Sequence, residues 1–360
     1  MSHALQDQRP SRAPKSAAPT SLTQGSLPRW APVAITAASI VLGCGIGALL
    51  GLHSKIQWGL LAGLLFVVIT YTASSVIENR RQAKDRVATS VVWVCFVLAV
   101  VPLLSLLWTT IGRGMEALDG DFLSHSMNGV TSFEPGGGVY HALLGTIEQV
   151  ALATAIAAPV GLLTAVYLVE YGRGSLAKAV TFFVDVMTGI PSIVAGLFIL
   201  TTWNLMLGFG PSGFGGSMAL SILMMPVVVR STEEMLKLVP NELREAALAL
   251  GVPKWRVILK VVLPTAIGGI ATGVMLAVAR IAGETAPIML LVFGTQLINP
   301  NPFEGPQSSL PLYIWEQYKV GSEASYDRAW AAALVLIAFV MILNLVARGI
   351  ARWKAPKTGR

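Results

Sequence analysis

Apolar residues fill eight long runs, at about residues 31 to 52, 56 to 77, 87 to 111, 139 to 170, 177 to 208, 214 to 239, 265 to 295 and 326 to 350. Each reaches the ~20 residues that a helix needs to cross a bilayer. The pattern predicts an all-α membrane protein with about eight transmembrane helices, and an even number of crossings returns both termini to one side. The first two runs carry glycines four apart, Gly43, Gly47 and Gly51 in one and Gly59 and Gly63 in the next. That spacing lets helix backbones approach closely, and it predicts a packed hairpin. The string GCGIGA also fits a loose GxGxxA nucleotide fingerprint, but no strand precedes it and it lies inside a span, so helix packing is the better reading.

Polar residues separate the runs, and their charge is one-sided. The segment ENRRQAKDR carries Arg80, Arg81, Lys84 and Arg86, the turn after Tyr171 carries Arg173 and Lys178, and the C-terminus carries Arg352, Lys354, Lys357 and Arg360. With the N-terminus inside, 20 of the 26 Lys and Arg residues fall in cytoplasmic segments, 4 outside (Lys55, Arg113, Lys319, Arg328) and 2 within spans (Arg230, Arg280). Positive residues stay inside, so both termini are expected in the cytoplasm of a multi-pass inner-membrane protein. Residues 1 to 30, rich in Pro, Ser and Ala and without the apolar stretch of a cleavable signal peptide, read as a disordered cytoplasmic tail. The layout expected is therefore that tail, a transmembrane hairpin with a basic loop over 31 to 86, a core over 87 to 350, and a basic tail over 351 to 360.

Composition removes the main alternatives. The chain is 54% hydrophobic and only 12% charged, against ~25% charged in soluble domains, which excludes a soluble enzyme. The net charge of +7 sits in short loops and so points to membrane orientation instead of nucleic acid. Cys44 and Cys95 both lie in apolar runs, and the four histidines lack metal-ligand spacing. Neither a disulfide framework nor a metal or other cofactor is expected.

The segment VPNELREAALALGVPKWRVILKVVLP, residues 239 to 264, is too charged to cross and too apolar to be a free linker. Asn241 suits the cap of a short helix, Glu242 and Glu245 its positive N-terminal end, and Gly251 a left-handed termination; Pro253 suits the start of a second helix. Ala246, Ala247, Leu250 and Val252 would leave a small apolar surface suited to a partner's groove. The order Glu245, Ala246, Ala247, Gly251, Leu263, Pro264 resembles the coupling loop of bacterial ABC importer permeases. That resemblance implies docking on a separate ATPase subunit, and the chain has no GxxxxGK[ST] phosphate-binding loop of its own.

The seventh run reads AIGGIATGVMLAVARIAGETAPIMLLVFGT. Arg280 lies about 22 Å along a helix from Thr265 at ~1.5 Å per residue, near mid-membrane, where an arginine costs at least ~2.5 kcal/mol. Glu284 follows one turn on. Pro287 opposes the carbonyl of Gly283, so the GET segment is expected to be kinked or open, lining a water-filled path. Arginine suits an oxyanion and Thr285 adds a hydroxyl. On spacing alone, an anion site and a buried Arg280 to Glu284 ion pair stand nearly level. Arg230 follows the apolar ILMMPVVV, where Pro226 would bend the span toward the pathway, with an arginine at the membrane edge as the plainer reading. Asp185 and Glu148 also lie within spans, and Asp185 suits either pairing with one of the arginines or a packing role.

RIAGETAP resembles the signature of phosphate-specific ABC permeases, and its ETAP ending is closer to the PstA-type subunit than to the PstC-type. GIPSIVAGLF (Gly189 to Phe198) and PVGLLTAVYLVEYG (Pro159 to Gly172) agree. The resemblance runs from about residue 87 to 350 and implies a six-helix permease core, to which the N-terminal hairpin is an addition. It further implies Arg230, Arg280, Glu284 and Thr285 along a phosphate pathway. The implied partners are a PstB-like ATPase, a PstC-like sister permease and a PstS-like external binding protein; no covalent chemistry occurs in the chain itself. A permease for molybdate or sulfate would keep the coupling loop without needing RIAGETAP. An ion-driven secondary transporter would explain the intramembrane charges but not the coupling loop, and its usual inverted repeat is not evident.

Overall fold

The computed structural model describes residues 27–354. Positions 1 to 26 of the expected N-terminal tail and 355 to 360 of the C-terminal one lie outside the described residues. The chain divides into two compact units, Met1–Ser105 and Leu106–Arg360.

In the first unit, α1 (Ala31–Leu49) and α2 (Lys55–Ile77) form the hairpin and α3 (Arg80–Ala117) begins. A Cβ on Gly43 would lie 3.0 Å from the Ala62 backbone, and one on Gly47 3.1 Å from the Trp58 indole, so these two glycines set the spacing of α1 and α2. Gly51 instead turns the chain at φ +65°, Gly63 meets Val94 of α3, and Gly59 faces open space. The basic segment expected as a loop is helical from Arg80 onward. Asn79 Oδ1 accepts from the amides of Arg81 (2.9 Å) and Gln82 (3.0 Å), capping α3. Arg and Lys are strong helix formers, so a cluster of them does not by itself interrupt a helix. Before the cap, the 2%-exposed carboxylate of Glu78 takes two hydrogen bonds of 2.7 Å from Arg86, one of 2.6 Å from Ser74 and one of 2.8 Å from the Leu27 amide. The Arg86 guanidinium holds that carboxyl down at about 2.

The second unit continues with α4 (Gly120–Ser124), α5 (Tyr140–Val166) and a π-helical turn (Tyr167–Tyr171). Then come α6 (Gly174–Thr188), α7 (Ser192–Ile199) with a π-helical extension (Leu200–Met206), α8 (Gly213–Lys237) and α9 (Asn241–Ala249). The chain closes with α10 (Lys254–Val257), a third π turn (Ile258–Val262), α11 (Leu263–Ala282), α12 (Ala286–Leu291), α13 (Leu310–Val320) and α14 (Glu323–Lys354). Helix α8 is the hub. Its Leu220, Met224 and Val228, four apart, form one buried stripe that packs on Val150, Ala153 and Ala157 of α5 and on Ala277, Val278 and Ile281 of α11. Small residues bring the backbones close, with Gly161 against Val228 and Gly273 against Ser231. In lipid this close packing replaces the hydrophobic drive that water would supply.

Two runs depart from single straight crossings. The fifth is bent by 107° between α6 and α7, because Pro191 has no amide and disfavours helical geometry in the residue before it. The seventh begins at Lys254, inside the expected coupling loop, and runs unbroken for 29 residues to Ala282. A π turn immediately precedes Pro264 and gives its ring room against the turn before. Among the described residues, seven helices are long and apolar enough to cross a membrane, or eight if the bent pair counts as one span.

Candidate functional site

The segment between α8 and α11 folds as its sequence suggests in one respect and differs in others. Gly251 adopts φ +76° and ends the α9 region as expected. Its amide donates to Leu248 (2.9 Å), and the Val252 amide to Ala247 (3.4 Å). Pro240, not Asn241, holds the N-cap position, and it offers no side-chain cap. Ala247 and Val252 pack inward on the cluster around Leu236, Val239 and Val262. Glu245, Ala246, Leu243, Leu248 and Leu250 stay exposed, Leu250 at 84%. Leu263 is half-buried and Pro264 is exposed in the first turn of α11.

What fastens this segment is a residue that sequence reasoning passed over. Arg244, 14% exposed, donates to the 7%-exposed carboxylate of Glu170 at 3.0 Å, to the carbonyls of Leu236 (2.8 Å) and Val239 (2.5 Å), and to Asn241 Oδ1 (3.2 Å). Lys254 donates to the Glu170 carbonyl and stands 4.8 Å over the Tyr171 ring. The π-helical end of α5 is thereby gripped from both sides of the segment. The strings YLVEYG and NELREAA had both stood out, but nothing in either names the other, 74 residues away.

Arg230 pairs across helices with Asp185 of α6 and, at 2.8 Å, with Glu233 one turn on, which also accepts from Lys237 at 2.6 Å. Of the two readings of Asp185, this is the pairing with Arg230. Arg280 occupies the last turn of α11, where its charge complements the negative end of the helix dipole. It is exposed and makes no ion pair or side-chain hydrogen bond among the described residues; the ion pair with Glu284 is not formed. The break expected at Pro287 is present. Helix α11 stops at Ala282, Gly283 to Thr285 leave helical geometry, and α12 restarts at Ala286. Glu284 and Thr285 are half-buried at that break, and Gly196 of α7 packs so closely on Pro287 that a Cβ there would lie 2.8 Å from the Pro287 backbone. Gly273 abuts Ser231, so Arg230 sits level with that turn and Arg280 lies about 10 Å further along α11 at ~1.5 Å per residue. The four residues thus flank the α8–α11 pair without forming one constellation.

Glu148 belongs to a different cluster. Gln307, 1% exposed, donates to it at 2.5 Å and accepts from Gln149 at 2.9 Å, tying the loop before α13 onto α5. A Cβ on Gly145 or Gly213 would collide with this loop at 2.1 Å and 2.0 Å.

The family of binding-protein-dependent transport system inner membrane components matches residues 157–360. The chain belongs to that family. The matched region holds α8, the segment between α8 and α11, and the break after α11. "Phosphate transport system permease protein PstA 1" of Mycobacterium tuberculosis is 49% identical over 269 residues, 74% of this chain and 87% of the relative. "Phosphate transport system permease protein PstA" of Xylella fastidiosa is 39% identical over 294 residues, 80% and 99%. The same permease fold recurs in a bacterial alginate ABC transporter, with a TM-score of 0.52 at 18% identity over 77% of this chain and 99% of that one.

Proposed function

We infer that this member of the binding-protein-dependent permease family is the membrane subunit of an ATP-driven phosphate importer, forming half of the translocation pathway. The observation that carries this reading is an exposed coupling helix and an opened RIAGETAP segment in a chain 49% identical to a phosphate permease. A PstB-like ATPase docks on Glu245, Ala246 and the exposed leucines of α9, with Gly251, Ala247, Leu263 and Pro264 shaping the segment from behind. A PstC-like permease supplies the other half of the pathway, and a PstS-like protein delivers phosphate from outside. Both termini lie in the cytoplasm, as the distribution of Lys and Arg requires.

Phosphate meets Arg280 at the break, where the guanidinium is unpaired and offers a planar fork of donors. Thr285 adds a hydroxyl. Glu284, close by in sequence, keeps the anion from being held too tightly, because conduction requires binding weak enough to release. Arg230 is paired with Asp185 of α6 and with Glu233 of its own helix, and separating α6 from α8 would free it from Asp185 alone. The deciding experiment is phosphate uptake by the reconstituted complex with and without ATP. Uptake indifferent to ATP would sink the reading, and preferential uptake of molybdate or sulfate would replace the substrate.

A further inference from the structure

Beyond the six-helix core, the N-terminal hairpin carries a basic cavity of about 300 Å³ lined by Tyr71 of α2 and by Arg80, Arg81 and Lys84 of α3. The two faces of the start of α3 are chemically different. At 100° per residue, Arg80, Lys84 and Arg81 fall within about a 100° arc, while Arg86 lies on the other side. Arg86 is consumed by Glu78, which is itself saturated by Ser74 and the Leu27 amide. No carboxylate pairs with Arg80, Arg81 or Lys84 among the described residues, and all three side chains are exposed. Three uncompensated cations therefore line one cavity.

A second observation bears on what enters it. Leu60, Leu64, Val68 and Tyr71 follow one another at helical spacing on α2, and they are 51%, 63%, 51% and 38% exposed. They form a single apolar stripe that ends at the cavity. From Leu60 to Tyr71 the stripe is about 16 Å long at ~1.5 Å per residue, close to half of a ~30 Å hydrocarbon core, which is the depth of one leaflet. A free anion would use the cations alone, whereas the stripe of a membrane span faces acyl chains. A molecule with a negative head and one leaflet's length of acyl chain uses both.

We propose that this cavity and stripe seat an anionic membrane phospholipid, its phosphate among Arg80, Arg81 and Lys84 and an acyl chain along Leu60, Leu64 and Val68. Basic residues at a membrane edge favour anionic lipid by about fivefold per charge, so the three together amount to on the order of a hundredfold. The test uses the full permease complex in detergent micelles and fluorescent phosphatidylglycerol, with phosphatidylcholine of the same chains as control. Arg80→Gln/Arg81→Gln/Lys84→Gln is expected to weaken phosphatidylglycerol binding on the order of a hundredfold and leave phosphatidylcholine unaffected; Arg80→Lys/Arg81→Lys is expected to restore most of it. Leu64→Glu is expected to weaken the lipid as well. Two results overturn the proposal: unchanged phosphatidylglycerol binding in the triple variant, or displacement of the lipid by millimolar inorganic phosphate with Leu64→Glu binding normally. The latter would make the cavity a free-anion site.

Discussion

Replacing Arg244 by Ala removes the guanidinium that fastens the coupling segment to the transmembrane helices. Four acceptors lose a donor: Glu170, the carbonyls of Leu236 and Val239, and Asn241 Oδ1, the Leu236 carbonyl keeping the Val239 amide. Breaking a buried ion pair from one side costs about 3–5 kcal/mol, because the remaining charge is left uncompensated. Here the lower end applies, since the Arg244 and Glu170 side chains keep 14% and 7% of their surface exposed and are not wholly desolvated. About 3 kcal/mol is a little over a hundredfold in an equilibrium constant. The loss falls on local opening of a short helix, not on the buried α5–α8–α11 core. Amide hydrogen exchange over residues 241 to 252 should therefore accelerate on the order of a hundredfold, with α8 and α11 unchanged, and less ATPase subunit should remain on the purified permease. Arg244→Lys should recover part of the protection, since a point charge reaches Glu170 but not both carbonyls. Native exchange rates in α9 together with normal ATPase retention in Arg244→Ala would refute the anchoring role.

A Cβ at Gly251 would meet no atom within 4 Å, so the cost of Gly251→Val is chiefly conformational: a β-branched residue at φ +76° should loosen ATPase docking, read as subunit retained on the permease, and more so than Glu245→Ala. Arg280→Ala should abolish phosphate uptake while the complex still assembles, and Arg280→Lys should rescue poorly; normal uptake by Arg280→Ala would remove it from the pathway. Glu78 is held near 2 against an ordinary 4.5, so its pair with Arg86 contributes stability that is fully present above about pH 4.5 and is lost as pH falls toward 2. The gap in melting temperature between the wild type and Glu78→Gln should accordingly narrow between pH 5 and pH 3.

The parts of this molecule that were legible from sequence are those decided within one turn of helix. The left-handed Gly251 and the break around Pro287 follow from what Gly and Pro backbones permit, and the apolar runs follow from what lipid tolerates. The seventh helix starts earlier than its apolar run. The charges in PKWRVILK put those residues outside the apolar run, yet Lys and Arg extend a helix readily, so the helix opened at Pro253 continues into that run and Arg280 falls in its last turn. Of the glycines four apart in the first two runs, only Gly43, Gly47 and Gly63 meet a neighbouring helix, a distinction set by which face each presents. Arg244 with Glu170 and Arg230 with Asp185 join residues 74 and 45 positions apart. No local pattern encodes such partners; they exist only once α5, α6 and α8 have packed.

The three π-helical turns give this permease a mechanical property. A π turn is wider than an α turn and marks a place where a helix yields more easily than its neighbours. One ends at Tyr171, beside the Glu170 that Arg244 and Lys254 grip, and another, Ile258–Val262, joins α10 to α11. The coupling helix is thus slung between two compliant joints. A displacement of α9 would reach α5 through the charged grip and α11 through the continuous chain, and so both of the helices that pack on the Leu220–Met224–Val228 stripe of α8.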